Sequence, residues 1–351
     1  HTVIPGLVDA HAHPDPWISP LNVVARRPPA NRAALAHGVT TLYEVYGTER
    51  KDTWLSDMVR AGRVAAPRLF TVGTPLFGLK HFRPKLYRPI GSYDDALEHV
   101  RYNADHGATA IKDYVMFTRE DRHMLVTAAR EAGVNVLAES AAEPAMNFTQ
   151  VLDGETGIEH TPGLTPLHDD AVRLFRAAGV GITPTLLVVY NGPLGERQFH
   201  VTERVWENEK LLRFLRKDDL LRVRRPTWHW PEDRYAPAMA AEMKELRDAG
   251  ISIQVGGHGQ MYGLDMHWEM ELLSQGGFTP MEALEAATVA GARYHGLDHR
   301  LGSLEVGKAA DLVVLSADPR EDIRNSRAIR YVMRNGFLYD GDTLDPVWPE
   351  T

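Results

Sequence analysis

The stretch Ile4-Pro5-Gly6-Leu7-Val8-Asp9-Ala10-His11-Ala12-His13 decides the reading of this chain. Val3 to Val8 is a short apolar run and reads as a buried strand, interrupted near its start by Pro5 and Gly6. It leads into two histidines one residue apart. Residues i and i+2 of a strand point to the same face. His11 and His13 therefore project together from the strand's C-terminal end, as a paired nitrogen clamp for a divalent metal. A bare HxH is a weak motif, and an accidental pair of polar residues at a strand end reads the same way. The remaining ligands must come from elsewhere in the chain.

The 351 residues are 44% hydrophobic and 25% charged, which is ample material for one large α/β domain and a small appendage. The net charge of -8 argues against nucleic acid or an anionic membrane as the main partner. No apolar run approaches the ~18 residues of a membrane span. There is no cysteine, so metal binding must use histidine and oxygen ligands. The compartment is left open by that absence.

Outward from the clamp, strands and helices alternate. Strands are expected at Val39–Val45, Arg68–Val72, Ala108–Val115, Val134–Ala138, Gly157–Glu159, Gly181–Val189 and Ile251–Val255. Ser92, Thr118 and Thr279 are placed to cap helices, the last opening Pro280–Tyr294. Repeated βα units point to a parallel sheet, and eight of them to a distorted (β/α)8 TIM barrel with its site at the strands' C-terminal ends. An insert of about 191–237, rich in Arg, Trp and charge, reads as helical excursions over the barrel mouth or as peripheral decoration. The domain division expected is a barrel over 1–300 and a small C-terminal β-sandwich remnant over 301–351.

The full run PGLVDAHAH, and the passage Leu301-Gly302-Ser303-Leu304-Glu305-Val306-Gly307-Lys308-Ala309-Ala310-Asp311-Leu312-Val313-Val314-Leu315, resemble the two ends of the amidohydrolase superfamily of metal-dependent hydrolases. That resemblance implies further ligands. Lys112, late in Gly107-Ala108-Thr109-Ala110-Ile111-Lys112, matches the strand-four lysine, which as a carbamate bridges two metals. His160 in Ile158-Glu159-His160 matches the histidine after strand six. The resemblance also implies that strands completing the sandwich, or a TolB-like β-propeller, precede His1 in a longer polypeptide.

Two positions depart from the pattern. Glu139 stands where relatives usually carry His, and His258 stands where they usually carry Asp. Together the changes look like an exchange. Each set has four histidines, one lysine carbamate and one carboxylate, so two divalent metals are neutralised equally. The expected ligands are therefore His11, His13, Lys112, Glu139, His160 and His258, with zinc the leading metal and iron or manganese possible.

The implied activity is hydrolysis of an amide-type C–N bond, linear or cyclic, in a small molecule by metal-bound hydroxide. Imidazolonepropionase-like and prolidase-like members are the nearest analogies. The exchange leaves two candidates for the proton shuttle, His258 and Glu139. Tyr114, Tyr190 and Tyr46 follow strands and are placed to polarise a carbonyl or to contact substrate. His267 and Glu271, at i and i+4, read as a structural pair or a metal pair. The cluster His81, Arg83, Lys85 and Arg88 reads as a solvated loop or a carboxylate site. Iron-dependent oxygen chemistry and a metal-free binding module stay open as other readings, as does a homo-oligomer.

Overall fold

A computed structural model describes residues 1–14, 27–47, 49–77, 90–115, 118–140, 143–163, 166–189, 198–224 and 235–349. Fourteen strands are present among them: β1 (Thr2–Pro5), β2 (Leu7–Ala12), β3 (Val39–Glu44), β4 (Arg68–Thr71), β5 (Leu76–Phe77), β6 (Ala110–Tyr114), β7 (Asn135–Glu139), β8 (Gly157–Glu159), β9 (Gly181–Thr183), β10 (Ser252–Ile253), β11 (Leu312–Leu315), β12 (Ile329–Arg334), β13 (Phe337–Asp340) and β14 (Pro346–Trp348). The fold is mixed α/β. β2, β3 and β4 make one parallel sheet, and β5 through β10 a second in sequence order. No ladder joins the two sheets among the described residues. Isolated backbone bonds cross both seams, including His258 N to His11 O at 2.8 Å. Thr109 N donates to Thr71 O at 3.2 Å on one side, and Ala10 N to Val255 O at 3.0 Å on the other.

The opening run divides differently from the sequence expectation. Val3 to Val8 is not one strand. Thr2–Pro5 pairs antiparallel with β11 and becomes the edge of a five-stranded sheet, β1-β11-β12-β13-β14. Leu7–Ala12 pairs with β3 in the parallel sheet. Gly6 is the crossing point. A Cβ there would lie 2.2 Å from Thr40 Oγ1. The Gly6 N–H goes to Asp311 O, whereas the Leu7 N–H goes to Gly38 O.

β9, expected over Gly181–Val189, is also shorter than expected, ending at Thr183. Pro184 has no N–H to continue a ladder, and Thr185 takes a left-handed φ of 43°. Leu186–Val189 then turns helical, its first N–H groups satisfied at 2.8 and 2.5 Å by the buried carboxylate of Glu269. Helix Pro280–Tyr294 forms as expected, with Thr279 and Glu282 in a reciprocal capping box. It contains a π-helical segment, Ala286–Ala290. There the Ala286 carbonyl accepts from Val255 N at 3.0 Å, a tertiary bond to the segment after β10.

The described part of the insert folds as short helices: Gln198–Thr202, Val205–Glu207, Glu209–Leu212 and Lys217–Arg222. They bury Val205, Trp206, Leu211 and Leu220 in the main core beside Trp268 and Leu273.

Candidate metal centre

In a parallel sheet the C-terminal ends of all strands lie on one edge, so residues distant in sequence converge there. Five strand ends or following loops carry the six expected ligands. His11 lies in β2 and His13 one residue past it. Lys112 is in β6, Glu139 ends β7, His160 follows β8, and His258 follows β10. All six line one cavity of about 230 Å³, together with Val45, Tyr46 and Tyr114.

The imidazoles are closely grouped. Ring centroids of His11 lie 5.2 Å from His13, 4.9 Å from His160 and 4.9 Å from His258. His13 and His258 are 4.6 Å apart. Ligand atoms of His11, His13 and His258 all lie within 4.8 Å of one another. His258 Nδ1 accepts from the Gln260 amide nitrogen at 3.2 Å, whereas each of the other three Nδ1 atoms faces an oxygen behind it: His11 Glu159 Oε2 at 2.5 Å, His13 Glu44 Oε1 at 3.0 Å, and His160 Thr185 Oγ1. Outer partners of this kind fix the ring and leave the opposite nitrogen to bind a metal.

A second group adjoins them. Glu139 Oε2 lies 2.8 Å from Lys112 Nζ, and its Oε1 lies 3.1 Å from His160 Nε2. Lys112 is fully buried, yet its Nζ makes no hydrogen bond of good angle. An ammonium has three protons to place, so the Glu139 contact leaves this one poorly satisfied. Burial holds His11 and His258 well below the usual imidazole range, and neighbouring histidines push the same way. Both rings are thus neutral nitrogen donors at neutral pH. Burial opposes ionisation of Glu139, but Lys112 and His160 outweigh it and hold its carboxyl low. Neutral imidazoles around a buried carboxylate are a donor set for divalent cations.

Backbone strain gathers at the same edge. Val115, His160, Thr185 and His258 have φ of 58°, 72°, 43° and 59°. Non-glycine residues avoid this left-handed region and persist in it mainly where the surroundings demand it.

Tyr114 is on the cavity wall, its ring stacked on Phe77 at 4.6 Å and 5.3 Å from Tyr46. Tyr190 and the cluster His81 to Arg88 lie outside the described residues. His267 and Glu271 do not pair. His267 bonds Ser326 Oγ at 2.8 Å and His37 O at 2.9 Å, and Glu271 meets Arg327. Sequence reasoning missed the anchors Glu44 and Glu159, although each is an acid at the last position of its strand. It also missed Asp9, whose Oδ1 accepts from Gly257 N at 2.9 Å and His11 N at 3.2 Å, tying β2 to the His258 loop.

The sequence profile of the amidohydrolase family matches residues 2–338. The chain belongs to that family. It is 33% identical over 109 residues to ochratoxinase of Aspergillus niger, a stretch covering 29% of this chain and 22% of the relative. The matched stretch is thus less than a quarter of that relative's length. Among solved structures, a Xaa-Pro dipeptidase with bound methionine superposes with a TM-score of 0.72 at 22% identity, over 97% of this chain and 87% of that one. A putative prolidase from Bifidobacterium longum gives 0.70 at 26% identity, over 99% and 81%. As a family member the chain is aligned with hydrolases.

Proposed function

We propose that this chain is a dinuclear metal-dependent hydrolase that cleaves an amide-type C–N bond in a small molecule. The observation that carries the reading is the convergence of His11, His13, Lys112, Glu139, His160 and His258 on one cavity. His11, His13 and His258 would hold one divalent ion. Glu139 and His160 would hold the other, with Lys112 carboxylated and shared between them. Zinc suits this nitrogen and oxygen set best. The frame would be a distorted (β/α)8 barrel, its seams crossed by the backbone bonds at Ala10, His258 and Thr109.

Bound metal supplies an activated water and polarises the scissile carbonyl. The chain's own residues do the rest. Glu139, at the end of β7 beside His160, is one candidate to take a proton. His258, neutral and beside His13, is the second candidate to carry it to the leaving nitrogen. The Tyr114 phenol faces the cavity as a hydrogen-bond donor to the carbonyl oxygen. Tyr46, Phe77 and Tyr114 form an aromatic wall suited to a flat or apolar substituent on the substrate.

Metal analysis tests the reading. Protein purified without added metal is expected to hold about two equivalents of divalent metal, as two-metal sites do. His258→Asn and Glu139→Gln should each lower the content. Uptake should coincide with hydrolysis in a screen of linear amides and lactams. A chain that binds no metal, even with added metal and bicarbonate, would overturn it. Iron content with oxygen consumption would replace it with oxygen chemistry.

A further inference from the structure

Behind His11 lies a buried chain of groups that the ligand set does not include. Glu159 ends β8 and is fully buried. One of its oxygens is 2.5 Å from His11 Nδ1, and the other accepts from the Tyr294 hydroxyl at 2.6 Å. Thr183, at the end of β9, lies beside the same hydroxyl. Tyr294 comes from the last turn of the C-terminal helix, 135 positions from Glu159.

Two glycines make room for it. A Cβ on Gly157 would lie 1.8 Å from the Tyr294 oxygen, and one on Gly181 would lie 2.7 Å from its ring. Neither glycine has a positive φ, so space for the tyrosine, and not backbone freedom, accounts for both. Two strands therefore leave their interior face bare at the place where this phenol enters.

We propose that Tyr294 is a positioning residue that acts through Glu159 on His11. The inference rests on the metal-hydrolase reading above. A carboxylate with one oxygen held by a phenol and a second by an imidazole N–H cannot rotate freely. It fixes His11 as the tautomer protonated at Nδ1, with Nε2 turned to the cavity, and raises the ring's strength as a donor. Without the phenol, the free carboxylate oxygen has lost its partner in a closed space. Glu159 then reorients and the His11 ring loses its fixed direction.

The test uses cobalt(II) as a spectroscopic probe in the full chain. Wild type, Tyr294→Phe and Glu159→Gln would be compared by visible absorption and by competition with a chelator, with Tyr93→Phe as a control. The Tyr93 hydroxyl donates to Glu131 on the surface, far from the cavity ligands in the fold. Tyr294→Phe is expected to weaken cobalt binding about tenfold and to shift the visible bands, as loss of an outer-shell partner does. Glu159→Gln should do more, and Tyr93→Phe should do neither. A tyrosine needed only for packing would lower the melting temperature and leave the spectrum alone. Unchanged bands and affinity in Tyr294→Phe would overturn the inference while leaving the hydrolase reading intact. A wild-type chain that takes up no cobalt would overturn both.

Discussion

Lys112 and Glu139 meet at the ends of neighbouring strands, with Nζ 2.8 Å from Oε2, in a contact too poorly aligned to be a hydrogen bond. A buried ammonium has three protons to place and here meets one carboxylate. Carboxylation would remove the positive charge and supply an anionic oxygen ligand. Bicarbonate in the loading buffer is therefore expected to raise metal occupancy of the wild-type chain. In Lys112→Met it should have no effect, and the content should stay low. Metal analysis with and without bicarbonate checks this; equal occupancy in all four samples would count against carboxylation.

The sequence resemblance implies His and Asp at the places that Glu139 and His258 hold. If the two sites trade one carboxylate for one imidazole, their effects must be coupled. Glu139→His alone removes an anion beside Lys112, and His258→Asp alone adds one beside His13. Each is expected to weaken metal binding at least tenfold, in line with losses at metal ligand shells. The double variant should bind more tightly than the product of the two losses predicts. A double-mutant cycle on metal affinity measures that coupling, and strict additivity would dismiss the exchange.

His160 and His258 hold left-handed backbone, at φ of 72° and 59°. Alanine keeps the Cβ penalty at such positions and glycine does not. In metal-free protein, His160→Gly is expected to be more stable than His160→Ala by about 1 kcal/mol. The same order should hold at His258. Urea unfolding of the four variants decides it. An alanine variant at least as stable as its glycine partner would show that the strain is not expressed in stability.

His267 makes stability depend on pH. Burial, aided by the charge of Arg327, lowers its pKa to about 3, against an ordinary 6.5. Both ring nitrogens are already paired, one with the His37 carbonyl and one with the Ser326 hydroxyl. Between pH 6.5 and 3 the unfolded chain binds a proton that the folded chain refuses. Its contribution is full above the unfolded value and falls as the pH drops through this window, with a loss on the order of a few kcal/mol. His267→Gln should flatten the dependence of unfolding free energy on pH over that window. An unchanged slope would mean that other groups carry it.

The candidate ligand positions were legible because each sits at a strand end within a local pattern: the HxH of His11 and His13, the apolar approach to Lys112, the Ile158-Glu159-His160 run. The anchors were less so. Glu44 and Glu159 carry only the weak signal of an acid ending a strand, and nothing local relates Tyr294 to His11.

The strand limits show the same division. Apolar runs marked where the parallel strands begin, because burial on both faces is written in composition. They did not mark where Val3–Val8 divides. That depended on Asp311 and Gly38 competing for adjacent N–H groups from opposite ends of the chain. Local pattern, capping and ligand chemistry were thus determined by the sequence itself, since they act over a few residues. The pairing of β1 with β11, the helical turn after Pro184, and the anchoring of four histidines from behind were decided only by tertiary structure. Each requires two segments far apart in sequence to place complementary polar groups within hydrogen-bonding distance, and no local pattern encodes that distance.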